Sequence, residues 1–306
     1  MAPAETIRLA TFDTGLGRKG PGLMLRDLQS GRDDQAEAAI ALIAQADADV
    51  LMLMDIDWDY AGNGAAALRD RLSDVGGGYP HHIARRPNSG VPSGFDLDGD
   101  GTTHEARDAL GYGRFTGDSG LAVLSRFPLG EIRDLTGALW SDHGTPADLV
   151  PPPALAGMPL ATTAQWVVPI TIRGQEITLV TMSAGTPVFD GPEDRNGIRN
   201  RDELTLVSDL VDGAKAALVM GRANQDPAGG EGHAEALMRL LTHPALQDPR
   251  PEGPDGGLAT VEFRTVGPMR VDYVLPPRGL RVVGSGTLHD AAAGPSRLVW
   301  VDVAVP

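Results

Sequence analysis

The stretch from Ala216 to Pro227, Ala-Ala-Leu-Val-Met-Gly-Arg-Ala-Asn-Gln-Asp-Pro, constrains this chain more than any other. The apolar run Ala216 to Met220 predicts a buried strand. The Gly-Arg-Ala-Asn-Gln-Asp-Pro that follows is turn chemistry, so it predicts the loop leaving the strand's carboxyl end. In α/β proteins those ends are where ligands and catalytic groups collect. Arg222, Asn224 and Asp226 therefore become candidates for a site.

The same reading extends along the chain. Ile7 to Phe12 alternates and predicts a first strand ending at Asp13. Asp33 to Gln45 places Ala36, Ala39, Ile40 and Ile43 at helical spacing with acids near its start, which predicts an amphipathic helix. Asp49 to Asp57 is a buried strand running into the carboxylates of Asp55 and Asp57, and Ala65 to Leu72 a short helix. Leu121 to Leu124 predicts a central strand. Asp134 to Thr162 is rich in Pro and Gly and reads as a long connection between halves of about 1–150 and 160–306. Trp166–Ile172 and Glu176–Thr181 predict a hairpin turned by Arg173-Gly174. Helices follow at about Asp202–Val211 and Ala234–Leu241, and strands near Arg270–Pro276 and Gly294–Val303.

Composition removes several classes of function. The 306 residues, 42% hydrophobic, suffice for a sizeable core, and abundant Gly (39) and Pro (24) suit a loop-rich α/β scaffold. Asp plus Glu is 41 against 26 Lys plus Arg, a net charge of −15 that repels nucleic-acid phosphates. Without Cys there are no disulfides, thiolate metal sites or cysteine nucleophiles. No apolar run approaches the ~20 residues of a transmembrane helix. Met-Ala-Pro-Ala-Glu-Thr lacks the regions of a signal peptide. As written the chain reads as cytoplasmic, or as periplasmic or secreted if a signal has been removed.

Two polar stretches bear on binding. In Asp96-Leu-Asp98-Gly-Asp100-Gly101, acids alternate before a glycine, as at the start of a calcium loop. Asp96, Asp98 and Asp100 would supply the first oxygens and Asp108 or Glu105 would close the shell; Arg107 stands at the twelfth position of an EF-hand register. The alternative is a polar surface turn. Asp190 to Asn200 reads as a polar loop carrying Arg195, Asn196 and Arg199, with Arg201 just beyond. Arg forks suit carboxylates and phosphates, so these residues are candidates for an anionic ligand. A solvated loop paired internally through Glu193 and Asp194 is the competing reading.

Seven segments in order carry a resemblance: Thr11-Phe12, Val50-Leu-Met-Leu53, Leu124-Ser-Arg-Phe-Pro128, Val188-Phe-Asp-Gly-Pro-Glu-Asp-Arg-Asn-Gly197, Gly221-Arg-Ala-Asn-Gln-Asp-Pro227, Arg270-Val-Asp-Tyr-Val274 and Leu298-Val-Trp-Val-Asp302. Together they resemble the endonuclease/exonuclease/phosphatase superfamily of metal-dependent phosphoesterases, across nearly the whole chain. The resemblance implies a DNase I-like four-layer α/β sandwich: two packed mixed β-sheets flanked by helices, each half of the chain contributing one sheet. It also implies a single domain over 1–306.

The residues that carry the family's chemistry are replaced. Arg222 stands where the family's Gly-Asp-x-Asn motif has Asp, while Asn224 keeps the Asn. Asp55 takes the place of the metal-binding Glu, and Asp13 that of a strand-end Asn. Ser183 falls where a His is expected, and Pro295-Ser296 where an Asp-His pair would activate water. Serine has no imidazole to act as a base near neutral pH, and proline supplies neither carboxylate nor N–H. A guanidinium is charged at any working pH, so Arg222 is expected to pair with Asp55 or Asp13.

Two functions follow as expectations. The first is a catalytically inactive relative retained to bind an unidentified protein or small anionic ligand. The second is a divergent hydrolase holding Mg²⁺ or Mn²⁺ with Asp13, Asp55, Asn224 and Asp226. A nucleic-acid-binding module fails on net charge and on the lack of basic or aromatic stripes.

Overall fold

The computed structural model describes residues 5–306; Met1–Ala4, where the signal-peptide reading begins, lie outside them. The first half runs β1 (Glu5–Asp13), α1 (Leu23–Ser30), α2 (Asp34–Ala46), β2 (Val50–Ile56), α3 (Asn63–Asp74), β3 (His81–Ile83) and β4 (Gly120–Ser125). Then come β5 (Arg133–Asp134), α4 (Trp140–His143), α5 (Pro152–Leu155), β6 (Trp166–Ile172) and β7 (Gln175–Ser183). The chain closes with α6 (Arg195–Asp212), β8 (Ala217–Arg222), α7 (Ala234–Leu241), β9 (Val261–Phe263), β10 (Gly267–Met269), β11 (Asp272–Leu275), β12 (Arg281–Leu288) and β13 (Leu298–Val305).

Alternation hidden inside the apolar runs sets the layers. Met52 and Met54 of β2 join Ile7, Val123, Trp166, Ile177, Met220 and Val301 in one cluster between two sheets. Their neighbours Leu51 and Leu53 face the other way, against Ile40 and Ile43 of α2 and Leu68 of α3. On the second sheet Val180 and Val219 face outward onto Leu204 and Val207 of α6 and Leu237 of α7. Both faces of the central strands are thus dry, which is why they read as continuous apolar runs. The result is four layers, helices–sheet–sheet–helices.

One sheet has the order β12-β13-β1-β2-β4-β3 and the other β11-β8-β7-β6-β5, with β9 and β10 forming a separate small ribbon. This corrects the expectation that each half supplies one sheet. β13 returns from the end of the chain to pair antiparallel with β1, Ile7 opposite Val303 and Leu9 opposite Val301. Without it β1 would be a bare apolar edge, an exposure that sheets avoid. The connection is likewise more than a linker: it contains β5, α4 and α5, and Trp140, Val150, Met158 and Leu160 pack into the outer core under α6.

Helix ends follow local chemistry. α2 starts where Asp33 accepts from the Ala36 amide, an N-cap that precedes Asp34 and Glu37 in the first turn. α6 begins at Arg195, seven residues before the predicted start. Its early turn is held by contacts from distant segments, described below.

Candidate functional site

β1 and β2 run parallel, as do β7 and β8, and their carboxyl ends meet at one end of the sandwich. That brings Asp13, Asp55, Ser183, Arg222 and Asn224 into one cleft. Gly221 is required there. It sits at φ 128°, and a Cβ would lie 1.9 Å from the Met182 carbonyl oxygen of the neighbouring strand.

Arg222 occupies the centre of the cleft with its side chain 14% exposed. It lies directly opposite Asp272 across the β8–β11 ladder. Its Nε donates to Asp272 Oδ1 at 2.7 Å and its Nη2 to Asp272 Oδ2 at 3.0 Å, a bidentate fork. Nη1 donates to Asp13 Oδ2, and Nη2 also reaches Ser296 Oγ at 3.2 Å. Of the two expected partners, Asp13 holds the guanidinium and Asp55 does not. Burial works against the charge, but the carboxylates of Asp13 and Asp272 outweigh it, so Arg222 keeps its proton more firmly than an ordinary arginine. Ser183 lies beside Arg222 in the parallel β7–β8 register. Asn224, at φ 55°, donates to the Ala184 carbonyl at 2.8 Å.

Asp55 forms a second centre. Its Oδ1 accepts from Ser119 Oγ at 2.5 Å, and Asp55 and Ser119 both adopt φ 53°. Two non-glycine residues in that region, joined by their side chains, are strained backbone of the kind that gathers at sites. The β2–β4 register shifts at this point, which turns Asp55 out of the ladder. Burial first, then the nearby Asp13 charge, raises Asp55 to about 6. Burial likewise raises Asp57 to about 6, although its carboxylate accepts from the Arg18 and Ser119 amides at 3.0 and 3.3 Å. A cavity of about 440 Å³ opens alongside, walled by Met24, Leu25, Trp58 and Tyr60 with Asp57 and Asp59.

The divalent ion implied by the resemblance does not fit these residues. Asp13 and Asp272 are already committed to a permanent cation. A like charge at ~4 Å costs about 4 kcal/mol per unit at an effective dielectric near 20. Asp226, the fourth expected ligand, accepts from the Arg270 and Ala228 amides. Ser296, which the resemblance aligns with a His, accepts from Arg222, which it aligns with an Asp.

The acidic loop is partly as predicted. Oxygens of Asp96, Asp98 and Asp108 lie within 4.8 Å of one another, a group that could hold a metal ion. Asp100 does not join them; it accepts from the Thr102 amide and hydroxyl at 2.8 and 2.6 Å. Glu105 instead caps the short turn at Asp108, which returns the bond to the Glu105 amide. Arg107 stands 3.8 Å from Asp98.

The arginine segment differs from its prediction as a surface loop. Arg199 is half-buried in the first turns of α6, donating to the carbonyls of Leu160, Leu110 and Pro159 at 2.8–2.9 Å. Its guanidinium rides over the Trp140 ring at 5.4 Å. Burial lowers it to about 10 despite the nearby Glu203 charge. Arg195 donates to the Leu97 carbonyl and Asn196 Nδ2 to Val188 O, so both tie loops together. Asn200 joins them, donating to Gly185 and Ala223 carbonyls. These bonds explain the early helix start: tertiary partners hold a turn that propensity leaves undecided.

Sequence reasoning did not single out Asp57, and it placed Ser119, with Asp118, only near the position where relatives carry a phosphate-holding Tyr. The signal available was the run of polar residues at the β2 end and just before β4, two strand ends that antiparallel pairing must bring together.

A family model described as "Endonuclease/Exonuclease/phosphatase family" matches residues 23–296. No curated protein matches the chain. Among solved structures, an endonuclease/exonuclease/phosphatase from Beutenbergia cavernae DSM 12333 aligns at TM-score 0.63 and 18% identity, over 98% of this chain and 72% of that one. A family protein from Leptotrichia buccalis C-1013-b gives 0.58 at 15%, covering 97% and 99%. Sphingomyelinase C from Streptomyces griseocarneus gives 0.53 at 15%, covering 99% and 100%. At such identities the structural likeness speaks for the fold alone, and the family model spans most of the sequence. The chain belongs to the endonuclease/exonuclease/phosphatase family.

Proposed function

We propose that the chain is a catalytically inactive member of this family, retained to bind a protein. The observation that carries this is the Arg222 fork on Asp272 with Asp13 on its remaining edge. Phosphoester hydrolysis of the family type needs a metal, a base for water and donors for the developing charge. The cleft has an arginine for the first, Pro295-Ser296 for the second and Ser183 for a donor. General acid–base help alone is typically worth ~10²–10⁴ in rate.

Binding is read as protein binding because of the rim. Tyr60 is 96% exposed, Phe189 83% and Tyr112 66%. They stand on loops that follow β2, follow β7 and lead toward β4, at the same end as Arg222. Exposed aromatics are the composition of protein contacts. A small anionic ligand at Arg199 loses support because that guanidinium is consumed internally. Nucleic acid remains disfavoured by the net charge of −15.

Activated phosphate mono- and diesters with Mg²⁺, Mn²⁺ or Ca²⁺ should show no turnover above background, and Arg222→Asp alone should not restore it. Metal-dependent hydrolysis abolished by Asp55→Ala would overturn this. One observation favours that second reading, a divergent phosphoesterase: Asp55 is bonded to Ser119, not to Arg222, and among the described residues its other oxygen has no hydrogen-bond partner.

The same reading includes a structural Ca²⁺ at Asp96, Asp98 and Asp108, supported by their hard oxygen donors. Millimolar Ca²⁺ should raise the melting temperature relative to chelator, by mass action on the native state. Asp98→Ala should erase the difference. Identical melting curves with and without Ca²⁺ would remove the proposal.

A further inference from the structure

We infer that Arg222 is the resident cation of the cleft: it joins the two sheets through Asp13 and Asp272 in place of a divalent ion, and loss of its guanidinium would create a demand for one. This rests on the reading of the cleft as unsuited to metal. Asp13 ends β1 in the six-stranded sheet, and Ser296 lies just before β13 of that sheet. Arg222 and Asp272 belong to β8 and β11 of the five-stranded sheet. One guanidinium therefore spans the sandwich, bonding to both layers at the place where their strand ends converge.

Charge makes this bond necessary. Asp272 is 1% exposed and Asp13 16%, while Asp55 lies close enough for its charge to act on Arg222. Three carboxylates at one sheet junction repel and cannot be hydrated fully, so a compensating cation is required. A divalent ion with oxygen ligands is one solution and a five-donor guanidinium another. The replacements at Arg222 and Ser296 make a matched set, because the serine hydroxyl accepts from the arginine at 3.2 Å. An imidazolium at position 296 would repel the guanidinium.

The test uses the full chain in an Asp98→Ala background, so that the acidic loop does not report. The parent protein should melt at the same temperature in chelator and in Mn²⁺, and should bind no Mn²⁺ by equilibrium dialysis. Arg222→Met, which keeps bulk and removes charge, should lower the melting temperature by on the order of 10 °C in chelator. Millimolar Mn²⁺ should recover much of that loss, with one ion bound per chain. Arg222→Lys, a point charge without the fork, should fall between and respond weakly to Mn²⁺.

An Arg222→Met protein that melts like the parent, or one that is destabilised and gains nothing from Mn²⁺, would overturn the inference. So would a parent protein that binds Mn²⁺ and loses it on Asp13→Ala. If Arg222→Met does not fold, an Arg222→Lys protein as stable as the parent would overturn it as well. Hydrolysis by the wild-type protein would refute the inactive reading but leave these melting results unchanged, so the two can fail separately.

Discussion

At the scale of single residues, Asp55 carries the charge in the cleft that is least relieved. Among the described residues its one side-chain donor is the Ser119 hydroxyl, while Asp13 and Asp118 add like charge nearby. Folding holds its proton up to about pH 6, whereas the unfolded chain releases it near the ordinary value of 3.8. Between those values the native state binds more protons than the unfolded state. Stability therefore falls as pH rises through about 4 to 6 and levels off above. Asp57, also raised to about 6, acts in the same direction. Asp55→Asn keeps an acceptor for Ser119 and removes one titration. The variant should be more stable than wild type at pH 8 by ~1–3 kcal/mol and similar near pH 4. Denaturant titrations at the two pH values decide it, and parallel profiles for the two proteins would count against the assignment.

At the scale of elements, the start of α6 is a structural joint. Arg199 reaches back to carbonyls of the 159–160 and 110 segments, and Glu203 one turn on accepts from the Thr162 amide and hydroxyl and the Gly185 amide. These two residues, each bonded to the connection, close it onto the outer face of the second sheet. Removing the guanidinium leaves the Leu160, Leu110 and Pro159 carbonyls without that donor, and an unsatisfied group of this kind typically costs ~1–3 kcal/mol. Arg199→Ala should lose stability on that order, and Arg195→Ala, which gives up one carbonyl contact, less than ~1.5 kcal/mol. Equal midpoints for the two variants in chemical denaturation would show that Arg199 is not the joint described.

At the scale of the whole molecule, the parts legible in the sequence were those set by local chemistry. Apolar runs at Val50–Met54, Leu121–Leu124 and Ala217–Met220 are strands because residues dry on both faces leave no polar alternation. The hairpin around Arg173-Gly174 and the helix after Asp33 carry their turn and cap within a few residues, so both were visible. The residue types at the positions that the resemblance aligns with the family's chemistry were visible too. A residue type at a motif position excludes an imidazole or a carboxylate without reference to anything else. What only tertiary structure decided were pairings over long separations. Arg222 meets Asp13 across 209 residues, and Asp13 and Asp55 are both acids at neighbouring strand ends. Which of them takes the guanidinium depends on the turn of Asp55 out of its ladder toward Ser119, and no local pattern encodes that turn. The internal bonding of Arg199 and the return of β12 and β13 to the first sheet have the same origin. Composition marks an arginine as charged and a run as a strand, whereas desolvation and edge pairing are properties of whatever the rest of the chain places beside them.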